Sequence, residues 1–511
     1  MTDWTDGYTA DIDYTYGCYP ELNPLYARMV FLNAGLEPPT LGTHCELGFG
    51  QGLNVNFQAA ATASVWHGTD FNPSHASFAR TLASYSGAAA DLRDQSFEEF
   101  CGRADLPEFD SIGLHGIWSW VSDENRTFIV DFIRRKLKVG GLLYVSYNTL
   151  PGWSAFAPVR HLMAQHARAM SAPGTGAVRR VDEALEFAHL LLESKPRFAL
   201  ANPSVTERLE KAKGQDRHYL AHEYFNANWE PMYFSAMASW LAPAKVEYAC
   251  SANYLSNVYA LNYSAEQQKF IGQLPDPILR QTVMDFMVNQ QFRKDYWVKG
   301  PRRLSPRAQG AALRAQSVLL LTPPIDISLD TDAAVGKVQL QEATYGPVLD
   351  ALADHKPKTM SQLEGAVRGQ GVSFSQLHEV VLILTGMGHM APAQDEEKAL
   401  QAKQHTERLN ANLMERACAD KNINFLASPV TGGGTPVGRF EQIFLLAMSK
   451  GHIQSSDLAS FAWDILVSVD ERILKDGKAL QSTEDNVQEL TAMANSFIDK
   501  RLPVLKALQI A

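Results

Sequence analysis

The chain has little that would tie it to nucleic acid, to a membrane or to an oxidising compartment. Its 511 residues carry 46 basic against 56 acidic side chains, a formal net charge of -10. It therefore lacks the cationic surplus that a phosphate backbone demands, and nucleic acid is a poor partner. Only five cysteines occur, Cys18, Cys45, Cys101, Cys250 and Cys418, and none is spaced as CxxC. That scatter argues against a disulfide framework and a zinc site and fits a reducing cytoplasm, so no metal is expected. No apolar run reaches the ~18 residues of a membrane span, which excludes membrane insertion by a helix. The opening MTDWTDGYTADIDYTYG is acidic and aromatic and has neither the basic flank nor the apolar core of a signal peptide. A chain of this length divides into about two to four domains.

What the chain does have is a concentrated motif. HCELGFGQGLN, His44 to Asn54, places Glu46 and three glycines, Gly48, Gly50 and Gly52, at two-residue spacing. A strand ending at Leu47 would pass there into a helix near Leu53, and the glycines let the backbone bend and approach a ligand where a Cβ would collide. GxGxG with a glutamate ahead of it fits a pyrophosphate-cradling dinucleotide loop poorly. Eighteen residues past Gly52, SVWHGTDF reads as a second strand with Asp70 at its carboxyl end, where a carboxylate can accept both hydrogens of a ribose diol. A plain helix cap ahead of Asn72-Pro73 is the bland alternative for Asp70.

Alternating strands and helices over the first 150 residues imply a doubly wound α/β sheet. The expected strands are Thr43 to Leu47, Val65 to Asp70, a short one near Leu92, Asp110 to His115, and Gly141 to Asn148. The amphipathic NRTFIVDFIRRKLKVGG reads as a helix stopped by Gly140-Gly141. Ligands in such sheets bind beyond the strands' carboxyl ends, where Glu46, Asp70, Asp94, His115 and Asn148 cluster. PMYFSAMASWLAPAKVEYACSA and RKDYWVKG supply the last strands.

HCELGFGQG with TDF, FDSIGLHGIWSWV from Phe109 and GGLLYVSYNTLPGW from Gly140 resemble the class I S-adenosylmethionine-dependent methyltransferases. Within them the chain is similar to the bacterial branch that carries a methyltransferase regulatory domain and includes the rickettsial protein lysine methyltransferases. YTYGCYPELNPLYAR, YLAHEYF and DFMVNQQFRKDYWVKG extend the likeness over roughly residues 10 to 300. Two residues depart from that branch: Asn23 stands where it tends to have His and Phe49 where it usually has Cys. Both are expected near the cofactor entrance.

The resemblance implies a Rossmann-like methyltransferase binding S-adenosyl-L-methionine. Gly48 to Gly52, with Glu46 and Asn54, would face its methionine part, Asp70 the ribose, and Asp94 with Gln95 or Ser96 the adenine. His115 and Gly116 would wall the acceptor pocket, with Trp118, Trp120, Tyr147 and Trp153 as candidate rings for cation-π attraction. Trp118 and Trp120 alternate, so only one can face the site, and Trp118 is the choice. Tyr14 and Tyr16 would pack the N-terminal segment over the cofactor, or serve as an ordinary aromatic anchor. His222 and Glu223 in HEYF, beside Tyr224, are the nearest candidate base pair, with a helix-start glutamate beside a packed aromatic as the plain alternative. The acceptor so implied is a protein lysine; a small-molecule or glycan hydroxyl, which would need a base such as His115, and a non-catalytic cofactor-binding regulator are the other readings.

The expected organisation is a methyltransferase core over 1–155 and a helical insertion over 156–215 that caps the site or makes a homodimer contact. A regulatory region with the last core strands follows over 216–300, then a linker over 301–340 and a mainly helical, winged-helix-like region over 341–511. Residues 351–511 hold 16 basic against 19 acidic side chains, the wrong sign for DNA, so that region reads as a protein-interaction or substrate-docking module. TGGGTP from Thr431 reads as a flexible turn.

Overall fold

The computed structural model describes residues 16–172 and 174–511. Seven strands form the central sheet: β1 (Thr43–Leu47), β2 (Val65–Thr69), β3 (Ala90–Arg93), β4 (Phe109–Leu114), β5 (Leu137–Asn148), β6 (Val246–Ser251) and β7 (Phe292–Lys299). Their order is β3-β2-β1-β4-β5-β7-β6. The first five pair in parallel, while β7 runs antiparallel between β5 and β6. β1 and β4 are neighbours, so the direction of winding reverses between them and a crevice opens at their carboxyl ends. β4 along its whole length and β5 from Gly141 to Asn148 are buried, as strands covered on both faces are.

The helices of this half are α1 (Pro24–Asn33), α2 (Leu53–Ala61), α3 (Pro73–Ser86), α4 (Phe97–Cys101) and α5 (Asp123–Lys136). Helix α5 starts on a Ser122 cap and runs directly into β5 at Leu137, so Gly140-Gly141 lies inside a strand and is not the helix stop. Gly140, at φ +80, takes up the bend.

Between β5 and β6 come α6 (Ala157–Met170), α7 (Ala177–Glu193), α8 (Arg197–Ala201), α9 (Ser204–Lys213), α10 (Arg217–Phe225) and α11 (Phe234–Leu241). Trp153, Phe156, Val181, Leu185, Leu209 and Leu220 give the first five of these helices a core of their own. They stand over the strand ends as a cap.

Residues 301–340 are not a linker. Pro306–Arg314 is a helix whose Gln309 side chain donates to Leu32 O (2.8 Å), and Leu313 is buried in the core beside α1. Ser317–Leu320 is the middle strand of a three-stranded antiparallel sheet with Lys358–Thr359 and Met390–Ala393. Three helices, Glu342–Ala351, Met360–Val367 and Phe374–Gly386, pack on it in the winged-helix manner.

The last third is not a detachable module either. All nine residues of α2 are buried, because the helix Glu396–Arg416 and the hairpin Phe425–Ser428/Gly433–Pro436 cover the side of α2 that the sheet leaves open. Gln394 Nε2 donates to Ala61 O (2.8 Å), and His405 Nδ1 lies 2.8 Å from Ser86 O. The TGGGTP stretch is the turn and second strand of that hairpin rather than a flexible loop. A Cβ on Gly434 would collide with Cys18 and Phe57, so the glycine permits the close approach.

Candidate active site

The crevice between β1 and β4 is built largely from backbone. Gly48, Gly50 and Gly52 all have positive φ (+72, +57 and +73), a region that residues with a Cβ avoid. A Cβ at Gly52 would strike Ala79, and one at Gly48 would strike Ile117. Asp70 fixes the loop's shape: its carboxylate accepts from Gly50 N (2.8 Å) and Asn72 N (3.0 Å) and faces His75 Nδ1 at 3.2 Å. Glu46 is buried and accepts from Asn54 Nδ2 (2.9 Å). Burial pushes the Glu46 carboxyl up to about 8, and the neighbouring Asp70 adds to the rise. Phe49, Gln95, Ser96 and Phe97 also line the crevice.

Four residues are shared with a second cleft under the helical cap: Tyr19, His115, Gly116 and Trp120. His115 stacks on Tyr19 with ring centroids 3.6 Å apart, and its Nδ1 lies 2.8 Å from the Tyr144 hydroxyl. Burial, with Lys294 nearby, lowers its imidazole to about 3, so the ring is neutral. Tyr19 N donates to Asn54 Oδ1 (3.0 Å), tying the N-terminal segment to the glycine-loop helix. The HGIWSW turn is pinned by Gly116 N to Ser146 Oγ (2.8 Å) and by Arg126, whose guanidinium donates to Trp118 O.

The second cleft holds Asn148, Trp153, Arg208, His222, Glu223 and Tyr224. Arg208 lies over the Trp153 ring, 3.8 Å from its centroid. Burial pushes the Glu223 carboxyl up to about 7, against the pull of Arg208. Glu223 is within α10 rather than at its start, where Asp216 is the cap.

Several expected residues stand elsewhere. Trp118 is fully buried, its Nε1 directed at Met232 Sδ (3.4 Å), and Trp120 is the indole that reaches the clefts. The turn Trp118–Trp120 is a 3-10 helix, so strand alternation does not decide which ring faces in. Tyr147 is buried with its hydroxyl on Asp295 Oδ2 (2.9 Å), away from both clefts. Asp94 points outward to Arg80 (3.0 Å), leaving Gln95 and Ser96 at the crevice. Tyr16 packs near Phe78 (5.7 Å) in the C-terminal core and does not line the crevice; Tyr14 lies outside the described residues. Asn23 caps α1 and donates to Gly432 O (2.9 Å), so its departure from the branch is at a domain contact, whereas Phe49 does line the crevice. His75, Tyr19 and Arg208 were missed. Only His75 left a signal, three residues after Asn72 at the start of a helix.

A protein of Synechocystis, "Uncharacterized protein sll1526", is 39% identical to this chain over 513 residues, covering 99% of this chain and all of that one. The chain belongs to the sll1526 family. The family model described as a predicted methyltransferase regulatory domain matches residues 216–299 of this chain. Rickettsia prowazekii RP789 is 30% identical over 213 residues, 40% of this chain and 37% of that one. In fold, this chain is similar to PKMT2 of Rickettsia typhi solved in complex with AdoHcy, at a TM-score of 0.71 and 17% identity over 98% of this chain and all of that one. The likeness shows the α/β methyltransferase fold with its helical C-terminal region. Among the described residues no helix is long and apolar enough to cross a membrane, and no group of three or more His, Cys, Asp or Glu could hold a metal.

Proposed function

We propose that this chain is an S-adenosyl-L-methionine-dependent methyltransferase whose acceptor is the side-chain amine of a protein lysine. The residues present suit that cofactor. Glu46 is a buried carboxyl with a cationic group to gain, Asp70 keeps acceptor capacity for a ribose diol, and Gln95 Oε1 is a buried acceptor without a partner, suited to an adenine amino group. When bound, S-adenosylmethionine supplies a methyl group already activated on a sulfonium. The chain's task is to hold the acceptor nitrogen in line and exclude water.

The observation that carries the amine reading is Glu223 in the cleft that adjoins the glycine crevice. Neutralising a lysine ammonium at pH 7 costs about 4.6 kcal/mol from its ordinary value near 10.4. A carboxylate whose value is held near 7 takes that proton more readily than an ordinary one. Glu223 would take the proton that leaves the acceptor nitrogen, so that the lone pair is free toward the methyl group the bound cofactor would supply. Trp120 offers a ring to the cationic product, whereas a face of the Trp153 ring is already taken by Arg208. A hydroxyl acceptor is less well served, because His115, held at about 3, is a weak base.

The test uses labelled cofactor, purified protein and a cell lysate. Label in N-methyl-lysine after hydrolysis of the protein fraction is expected. Label confined to glycan or small molecules would overturn the lysine acceptor while leaving methyl transfer intact.

A further inference from the structure

A third cavity lies in the matched regulatory segment, away from the glycine crevice. It opens between β6, β7 and the helices Tyr259–Asn262 and Pro277–Met287, and its wall includes Tyr248, Asn257, Tyr259, Asp285, Arg293 and Asp295. Two buried carboxylates here share one cation. Arg293 donates to Asp285 Oδ1 (2.6 Å) through one nitrogen and to Asp295 Oδ2 (2.8 Å) through another, while its third goes to Gln281 (2.9 Å). Asp295 Oδ2 also accepts from Tyr147.

Asp285 is the member left incomplete. It is 3% exposed, and its Oδ2 is buried with no hydrogen-bond partner. Leaving a buried acceptor unmade costs about 1–3 kcal/mol, more when it is charged, so a wall of this kind is complete only with a donor opposite it. The remaining surface fits a cation better than a neutral donor. The Asp285–Arg293–Asp295 group has two carboxyls to one guanidinium, burial pushes the Asp285 carboxyl up to about 7 against the pull of Arg293, and a cation set opposite its open oxygen would favour the ionised form; the Tyr259 ring also lines the wall. Lys294, the other cation in the wall, is paired with Glu21 (2.5 Å).

We infer that this cavity is a binding site for a small organic cation, a primary ammonium or guanidinium group, with Asp285 as its principal anchor. Phe292 lines both this cavity and the cleft that holds Glu223, and its ring meets His115 edge-on with centroids 6.3 Å apart. Occupancy is therefore one side chain away from the acceptor cleft, as a regulatory ligand requires; that regulatory sense rests on the methyltransferase reading, while binding itself does not.

Titration calorimetry of the full chain without cofactor, using putrescine and free arginine as probes and succinate as the control of opposite charge, tests it. Saturable binding of at least one cation and none of succinate is expected. Asp285→Asn should weaken that binding at least tenfold, and so should Ser256→Phe, which adds a large ring to the cavity wall at a residue outside the buried ion group and keeps the test open if the first variant does not fold. A free amine as the natural ligand would bind in this form. A side chain of a protein would instead be mimicked by an acetylated and amidated lysine or arginine residue, binding more tightly than its free amino acid. The site is overturned if no cation saturates up to about 10 mM. It is equally overturned if both variants bind as the unaltered chain does. Either result leaves the methyltransferase reading standing.

Discussion

The two adjoining clefts are made in opposite ways. The glycine crevice is centred on one stretch of chain, residues 46–54, with Asp70, 95–97 and the turn after β4 around it, and the shape of that central loop is set by backbone at positive φ and by missing Cβ atoms. The cleft proposed for the acceptor takes Tyr19, Trp120, Trp153, Arg208, Glu223 and Phe292 from six separate segments, and its character lies in side chains. A crevice of backbone tolerates no added atoms but accepts the same ligand in any chain that keeps the loop. A cleft of side chains can be rebuilt by substitution without disturbing the fold, so the first speaks of the cofactor and the second of the acceptor.

The sharpest way to break this contrast is to give the crevice a Cβ. Gly52→Val puts a β-branched residue at φ +73 and against Ala79. Positive φ and overpacking together cost roughly 2–5 kcal/mol. We expect S-adenosylhomocysteine binding to fall about 100-fold or more by calorimetry, with a lowered thermal midpoint. Unchanged affinity would mean that the crevice is not a backbone cradle.

Glu223→Gln sharpens the other side. Removing a proton acceptor typically costs 10²–10⁴-fold where it is catalytic; with solvent able to substitute in a cleft this size, about 30-fold in kcat is expected, with cofactor affinity changed less than twofold. In the unaltered protein the rate should rise with pH through about 7 as the carboxyl ionises, and the variant should lose that step. A variant whose pH profile kept the step would remove Glu223 from proton transfer.

Glu46 gives a middle-sized effect in the crevice. With its carboxyl raised to about 8, the folded protein holds a proton that the unfolded chain has lost, so this group's contribution to stability falls as pH rises from about 4.5 through 8. A ligand ammonium opposite it reverses the shift. Cofactor binding near pH 7 should therefore release close to one proton, fading above pH 8, as read by calorimetry in buffers of differing ionisation enthalpy. Glu46→Gln should abolish the release.

The contrast also explains what could be read from sequence. The glycine loop, the strand ends, α2 and α3 are local, with period and punctuation that a short window contains. Asp70 could be picked out because the distance from Gly52 to the next strand's end is itself a sheet property. Alternation lets only one of Trp118 and Trp120 face the site without saying which, and in the 3-10 turn that holds them it is Trp120. Tyr147 has the alternation of a strand residue, yet which face carries the site depends on β7, and Asp295 on that strand claims its hydroxyl. The start of 301–340, RRLSPRAQGAALRAQS, looked polar and basic enough for a linker because what its apolar residues do, such as Leu313 packing in the core with α1 and with helices far along the chain, is not visible in a local window. Arg208 left no signal, since its partner Trp153 is more than fifty residues away and in another element.

The smallest effect separates neighbours within the crevice. Asp94 and Gln95 follow β3 side by side, and either could meet an adenine edge on sequence grounds. Asp94 is about two-fifths exposed and held by Arg80 on the outer surface, while Gln95 Oε1 is buried at the crevice without a partner. A neutral hydrogen bond contributes about 0.5–1.5 kcal/mol, so Gln95→Ala should weaken cofactor binding about threefold to tenfold. Asp94→Asn should leave it within twofold and lower stability by no more than the ~0–1 kcal/mol of an exposed ion pair. Equal losses in the two variants would mean that the loop turns over on binding and brings Asp94 inward. The crevice would then be shaped by its ligand, and its preformed backbone would no longer set it apart from the acceptor cleft.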